Sequence, residues 1–201
     1  QALLPMLAEV RNMIELDLQE VDAVAVASGP GSFTGLRIGS ATAKGLSFAM
    51  GKPIVAVPTA DGLAYNLYGT DKVVCPIMDA RRSQVYTGIY EFLFQEDKYC
   101  LNIIKRQCAA AFDEIAQELN ALGREVIFLG DGVPVFRERM KEIMKVRYTL
   151  APAHMNRQRA ASIGALGSLY YAQGRTVSGE AFVPEYLRLS QAEREKSGKL
   201  I

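Results

Sequence analysis

A single histidine, His154, and three scattered cysteines, Cys75, Cys100 and Cys108, are the only imidazole and thiol groups in 201 residues. One histidine cannot form a catalytic His pair or a multi-histidine metal site within this chain. Cysteines outside any CxxC spacing do not read as a zinc or redox motif, and three cannot all pair, so the expectation is small buried apolar residues in a reducing compartment. Long hydrophobic runs are lacking too: residues 21–27 and 54–57 fall far short of the roughly 20 residues that span a bilayer. No signal-peptide pattern is visible. Nor is there an excess of charge of one sign. With 23 Lys+Arg against 22 Asp+Glu the formal net charge is +1, which argues against a free-standing nucleic-acid binder, whose basic stripe usually lifts the domain pI above about 9.

What is present is ordinary globular composition, 49% hydrophobic and 22% charged, in a chain long enough to bury a core without covalent staples. Residues 2–16 carry Leu3, Leu4, Met6, Leu7, Val10, Met13 and Ile14 at mostly helical spacings. This predicts a first helix whose apolar face is too wide for one contact, suiting burial against a sheet and a second helix or against a partner chain. Since the sequence opens at Gln1 inside that helical pattern, an upstream part is expected. A continuous β-branched strand over 21–27, a glycine turn over 28–35, a helix over 36–50 and a strand over 54–57 make a parallel crossover unit.

Thr59 is placed to cap a short helix reaching Tyr68. Residues 73–78 and 84–92 follow as a hairpin, and 100–107 as a further strand. After these come a helix over 112–122, a strand over 125–129, and helices over 134–144 and 157–173.

The turn Gly29-Pro30-Gly31-Ser32-Phe33-Thr34-Gly35 offers backbone N–H groups and a helix N-terminus to an anion. Its spacing completes neither a P-loop, which needs Lys-Ser/Thr after the last glycine, nor a dinucleotide fingerprint. Gly29, Gly31 and Ser32 are therefore candidate anion contacts beside the plainer reading of a tight turn. Gly130-Asp131-Gly132 at a strand end carries the same two readings, and Asp79 with Arg81 and Arg82 could bind an anion or simply form a charged hairpin turn.

Along the second helix small residues recur at Gly35, Gly39, Ala43 and Ser47. Gly39 and Gly45 each cost about 1 kcal/mol relative to alanine inside a helix, so an intimate contact, internal or between chains, is expected to offset them.

Several stretches together resemble the bacterial TsaB (YeaZ) family: Gln1-Ala2-Leu3-Leu4-Pro5-Met6, Asp22 through Gly39, Ala43-Lys44-Gly45-Leu46, Asp79-Ala80-Arg81-Arg82, Arg159 through Gly164, Pro184 through Arg188, and Ser190-Gln191-Ala192-Glu193-Arg194. The resemblance implies an α/β, actin-like ATPase (ASKHA, ribonuclease H-like) fold of two similar domains, expected over 1–68 and 69–201, with the C-terminal segment returning to the first. It also implies that the family's opening strands, with the fold's usual first phosphate loop, are not within these residues.

The implied function is a non-catalytic dimerisation and activation subunit for adding a threonylcarbamoyl group to N6 of adenosine 37 in ANN-decoding tRNAs. Where the catalytic TsaD-like relative supplies metal-binding histidines, residues 1–16 and 59–65 here contain none. The expected partners are a TsaD-like catalytic subunit and a TsaE-like ATPase, with a homodimer as the alternative assembly and tRNA met only through the complex. The expected location is the cytoplasm, with no metal, cofactor or catalytic residue of its own. Leu3, Leu7, Val10, Ile14, Gly39 and Ala43 are the expected docking residues. The rival reading is an autonomous actin-like ATPase or a glycoprotease-type metallopeptidase.

Overall fold

The computed structural model describes residues 3–188, so Gln1, Ala2 and the Ser190 to Arg194 motif lie outside the described residues. Among them the helices are α1 (Leu3–Met13), α2 (Phe33–Met50), α3 (Thr59–Ala64), α4 (Phe112–Leu122), α5 (Val133–Ile143) and α6 (Ala160–Ala172). The strands are β1 (Val24–Ala27), β2 (Ile54–Val57), β3 (Val73–Asp79), β4 (Gln84–Gln95), β5 (Lys98–Ala111), β6 (Val126–Leu129) and β7 (Tyr148–Leu150).

By internal contacts the chain forms two units, one holding described residues 3–57 and 163–188 and the other 58–162. The sequence reading put the boundary at 68/69. The unit boundary falls earlier because all six residues of α3 are buried, with Ala60, Leu63 and Ala64 packed on Val74, Met78 and Tyr90 of the second unit. Thr59 is the first residue of α3 rather than its cap, since Pro58 occupies that position, and its Oγ1 is buried without a hydrogen-bond partner among the described residues.

In the first unit β1 and β2 pair in parallel from Val24↔Ile54 to Ala27↔Val57, with α2 as the crossover that parallel pairing requires. Ser32 caps α2 by accepting from the Gly35 N–H, and Gly51 ends it in the left-handed conformation at φ 64°, where glycine carries no Cβ penalty. The helix turns Ser40, Ala43 and Ser47 inward, and Ala43 packs with Ile54 and Phe182. The i, i+3, i+7 spacing of these three small residues is what lets α2 lie close to the two strands.

The second unit holds a five-stranded sheet in the order β5-β4-β3-β6-β7, antiparallel through β3, β4 and β5 and parallel through β3, β6 and β7. Central β3 reads as one apolar run because both of its faces are covered. Val73, Cys75 and Ile77 meet Phe112, Ile115, Leu119, Phe136 and Met140 of α4 and α5, while Val74 and Met78 meet α3. β5 runs longer than the expected 100–107, and β7 is absent from the sequence reading.

Candidate functional site

Helix α1 buries none of its eleven residues, although Leu3, Leu4, Met6, Leu7, Val10 and Met13 are apolar and Ile14 follows directly. Val10 is 54% exposed and Ile14 63%. Apolar side chains at positions 3, 7, 10 and 14 form one exposed stripe along the helix. Helix α2 also exposes large apolar residues, Phe33, Ile38 and Phe48, the last 91% exposed. Sequence reasoning missed these three because it followed the small residues. Their signal was available, since large apolar residues stand off the Ser40, Ala43 and Ser47 face.

Of the expected docking residues, Leu3, Leu7, Val10 and Ile14 are exposed, but Ala43 is not. It is 3% exposed and belongs to the unit's own core, because the inward face of α2 needs a residue small enough to seat against β1 and β2. Gly39 and Gly45 differ: a Cβ at either would meet nothing within 4 Å. The close contact expected to offset their helix cost is therefore not made within the described chain. Gly39→Ala is expected to stabilise the isolated protein by about 0.5–1 kcal/mol, a gain that thermal unfolding would register.

The first glycine turn is covered by the chain's own C-terminal segment. The Glu185 N–H donates to the Ser28 carbonyl at 2.7 Å, and Tyr186 stacks on Phe33 with centroids 5.3 Å apart. Gly29 sits at φ +114°, where a Cβ would lie 2.3 Å from the Glu185 carbonyl oxygen. Gly31 meets only Leu36. The Ser32 hydroxyl is already engaged as the α2 cap, which satisfies one of the N–H groups an anion would otherwise meet.

The second turn ties β6 to β3. The Gly132 N–H donates to the Ile77 carbonyl at 3.0 Å, Asp131 Oδ1 accepts the Asp79 N–H at 3.2 Å, and the Gly130 N–H donates to Asn156 Oδ1 at 2.8 Å. Gly130, at φ +113°, approaches Ile77 so closely that a Cβ would lie 2.1 Å from its carbonyl oxygen. Close backbone approach thus accounts for both glycines, and the carboxylate of Asp131 is engaged locally.

Among the described residues no three His, Cys, Asp or Glu side chains gather closely enough to hold a metal ion, and His154 lies in the 3₁₀ turn Ala153–Met155. All three cysteines are free, with Cys75 buried. Burial pushes the Cys75 thiol up to about 12, against a weaker opposing hydrogen bond with the Thr87 hydroxyl. A folded value above the unfolded one means the native state keeps this proton longer, so the contribution is whole below about pH 9 and is lost as pH rises towards 12. Alkylation at pH 8 followed by mass spectrometry is expected to label Cys100 first and Cys75 only after unfolding, because the thiolate is the nucleophile.

A family model described as "TsaD: tRNA N6-adenosine threonylcarbamoyltransferase" matches residues 1–196, which sets the class of protein. The tRNA threonylcarbamoyladenosine biosynthesis protein TsaB of Bacillus subtilis (strain 168) is 30% identical over 94% of this chain and 80% of its own length. The TsaB of Escherichia coli (strain K12) is 30% identical over 99% of this chain and 84% of its own. Among solved structures, YeaZ from Pseudomonas aeruginosa superimposes with a TM-score of 0.72 at 28% identity, covering 92% of this chain and 84% of that one. A P. aeruginosa protein described as similar to the peptidase YeaZ gives a TM-score of 0.76 at 29% identity, covering 94% and 83%. The chain belongs to the TsaB (YeaZ) family, and these likenesses bear out the α/β, actin-like fold class. No helix among the described residues is long and apolar enough to cross a membrane.

Proposed function

We propose that this protein is a cytoplasmic, non-catalytic subunit in tRNA threonylcarbamoyladenosine biosynthesis, activating a TsaD-like catalytic partner by docking through α1 and the outer face of α2. The observation that carries the reading is a helix, α1, that is apolar on several sides and has no buried residue among the described residues. Two interior glycines of α2 with open space around them add to it, since their cost is offset once another helix approaches closely.

The names of the relatives supply the process. A supporting rather than catalytic role draws on two further features: the glycine turn at 29–35 is covered by residues 185 and 186, and the polar groups of Gly130-Asp131-Gly132 are engaged within the second unit. A TsaE-like ATPase would join the same assembly, and tRNA would be met only through it.

The test is co-expression with a TsaD-like protein followed by purification and light scattering. A stoichiometric heteromeric complex supports the reading. A chain that runs alone at every concentration opposes it, and one that forms only homodimers removes the heteromeric assignment while leaving the face as an interface.

A further inference from the structure

Helix α2 carries two charged side chains, Arg37 and Lys44, and contains no Asp or Glu. At 3.6 residues per turn, Phe33, Arg37, Lys44 and Phe48 fall within about 60° of arc. The two cations therefore share one stripe with two exposed aromatic rings, Phe33 and Phe48.

Arg37 is ordered without being paired. Its guanidinium carbon lies 4.0 Å from the centroid of the Phe33 ring, and that ring is braced in turn by Tyr186 at 5.3 Å. Stacking uses the face of the guanidinium plane and leaves the N–H groups at its edge available. Among the described residues Arg37 has no carboxylate within ion-pair distance. The other arginine of the first two helices, Arg11, spends its Nε–H on the Leu16 carbonyl. Lys44 likewise lacks a carboxylate partner, its ammonium reaching only the Glu180 carbonyl at 3.4 Å.

In water an unpaired surface guanidinium is well solvated. Its position matters once the face is covered, because a surface that packs on Phe33, Ile38 and Phe48 also removes water from the cation standing among them. A guanidinium cannot shed its proton, and a desolvated charge without a counter-charge is strongly unfavourable. Docking on this face is then favourable only if the partner brings an anionic acceptor.

We propose that Arg37 is the residue by which α2 selects its partner, taking a carboxylate of the partner protein edge-on against its forked N–H groups. Two parallel N–H groups match the two oxygens of a carboxylate, and the stack on Phe33 holds the fork in place before contact, which reduces the ordering cost of binding. Lys44, two turns along and roughly 10.5 Å away by helical rise, extends the same basic stripe towards a second acid. Two cations amid exposed apolar side chains fit an acidic protein surface better than a nucleic-acid backbone, where affinity is built from many phosphate contacts. This inference rests on the docking role assigned to α1 and α2 and adds the charge chemistry that role requires.

The test measures binding of the full chain to a TsaD-like partner at about 50 and about 500 mM salt, a range over which exposed charge pairs are progressively screened. Wild type is compared with Arg37→Ala, Arg37→Lys, Arg37→Glu, Val10→Glu and Arg175→Ala. Arg175 is the matched control, a guanidinium 3.4 Å above the Tyr170 ring that belongs to neither α1 nor α2. Arg37→Ala is expected to weaken binding about tenfold and Arg37→Glu about a hundredfold, with Arg37→Lys between wild type and Arg37→Ala and no change in Arg175→Ala. The salt dependence of wild type should largely disappear in Arg37→Ala. Thermal unfolding of the free variants should match wild type, and Arg37→Lys, which retains the charge and the stem, separates a lost forked pair from a lost fold. Affinity and salt dependence unchanged in Arg37→Glu while Val10→Glu still disrupts binding would overturn this inference and leave the docking reading standing. No binding by wild type, or binding indifferent to every variant, overturns both. Loss of tRNA binding by the preformed complex at unaltered partner affinity would give the stripe to nucleic acid and overturn the carboxylate assignment.

Discussion

Gly130→Ala is expected to lower the stability of the second unit by about 3 kcal/mol or more. Two effects add. At φ +113° an L-residue occupies a backbone region that costs roughly 1–3 kcal/mol, and the new Cβ would fall 2.1 Å from the Ile77 carbonyl oxygen. That contact is with backbone of central β3, so relief requires β3 and β6 to separate, and overpacking of this kind costs a further 1–3 kcal/mol or so. The Gly130 N–H bond to Asn156 and the Gly132 N–H bond to Ile77 would be strained together. A loss of about 3 kcal/mol corresponds to a fall in Tm of roughly 6–12 °C for a protein of this size. Gly164→Ala is the control: Gly164 lies inside α6 with nothing within 4 Å of its Cβ position, and a gain of about 0.5–1 kcal/mol is expected. Calorimetry on both variants separates backbone approach from a general intolerance of alanine; equal Tm values would refute the account of the turn.

The second large effect is on assembly. Val10→Glu should leave the isolated chain folded, because Val10 is 54% exposed on a helix with no buried residue. In the complex with a TsaD-like partner the same carboxylate would be buried without a counter-charge, a cost of several kcal/mol. Each 1.4 kcal/mol is about tenfold in affinity, so binding should weaken by orders of magnitude. Val135→Glu is a matched control, since Val135 is 60% exposed and belongs to α5 of the second unit, not to α1 or α2. Unfolding of Val10→Glu would show that α1 serves the chain's own core, and unaltered partner binding would move the interface elsewhere.

Much of this architecture was legible from residue pattern. The strand–turn–helix–strand unit of β1, α2 and β2 could be read because β-branched runs, a glycine cluster and a Gly-Lys-Pro stop fall in sequence over 24–57. The β3–β4 hairpin was equally clear. The three-residue β7 was not: Tyr148–Leu150 is too short to show an alternation of apolar and polar residues, and all three are half-buried. Neither could local sequence show that α3 joins the second unit, because the six residues Thr-Ala-Asp-Gly-Leu-Ala are too few to show a helical period. Its attachment depends on the Tyr90 hydroxyl donating to Asp61 Oδ1 at 2.8 Å, a partner 29 positions away.

The candidate site was legible in part for a related reason. Periodicity marked α1 as too apolar for one contact, yet the small residues of α2 looked alike until the fold separated inward Ser40, Ala43 and Ser47 from outward Gly39 and Gly45. The glycine turns were recognisable as places of close approach, whereas what approaches them, Glu185 in one case and Ile77 in the other, is set by tertiary contact.

The central claim is that this protein activates a catalytic partner and performs no group transfer itself. It is tested most directly by following threonylcarbamoyl incorporation into tRNA, given a threonylcarbamoyl donor, with the TsaD-like protein alone, this chain alone, and both together. The account predicts no product from this chain, little from the partner, and a rate that rises with added chain until the two are stoichiometric. Product formed by this chain without the partner, or a partner equally active in its absence, would contradict it.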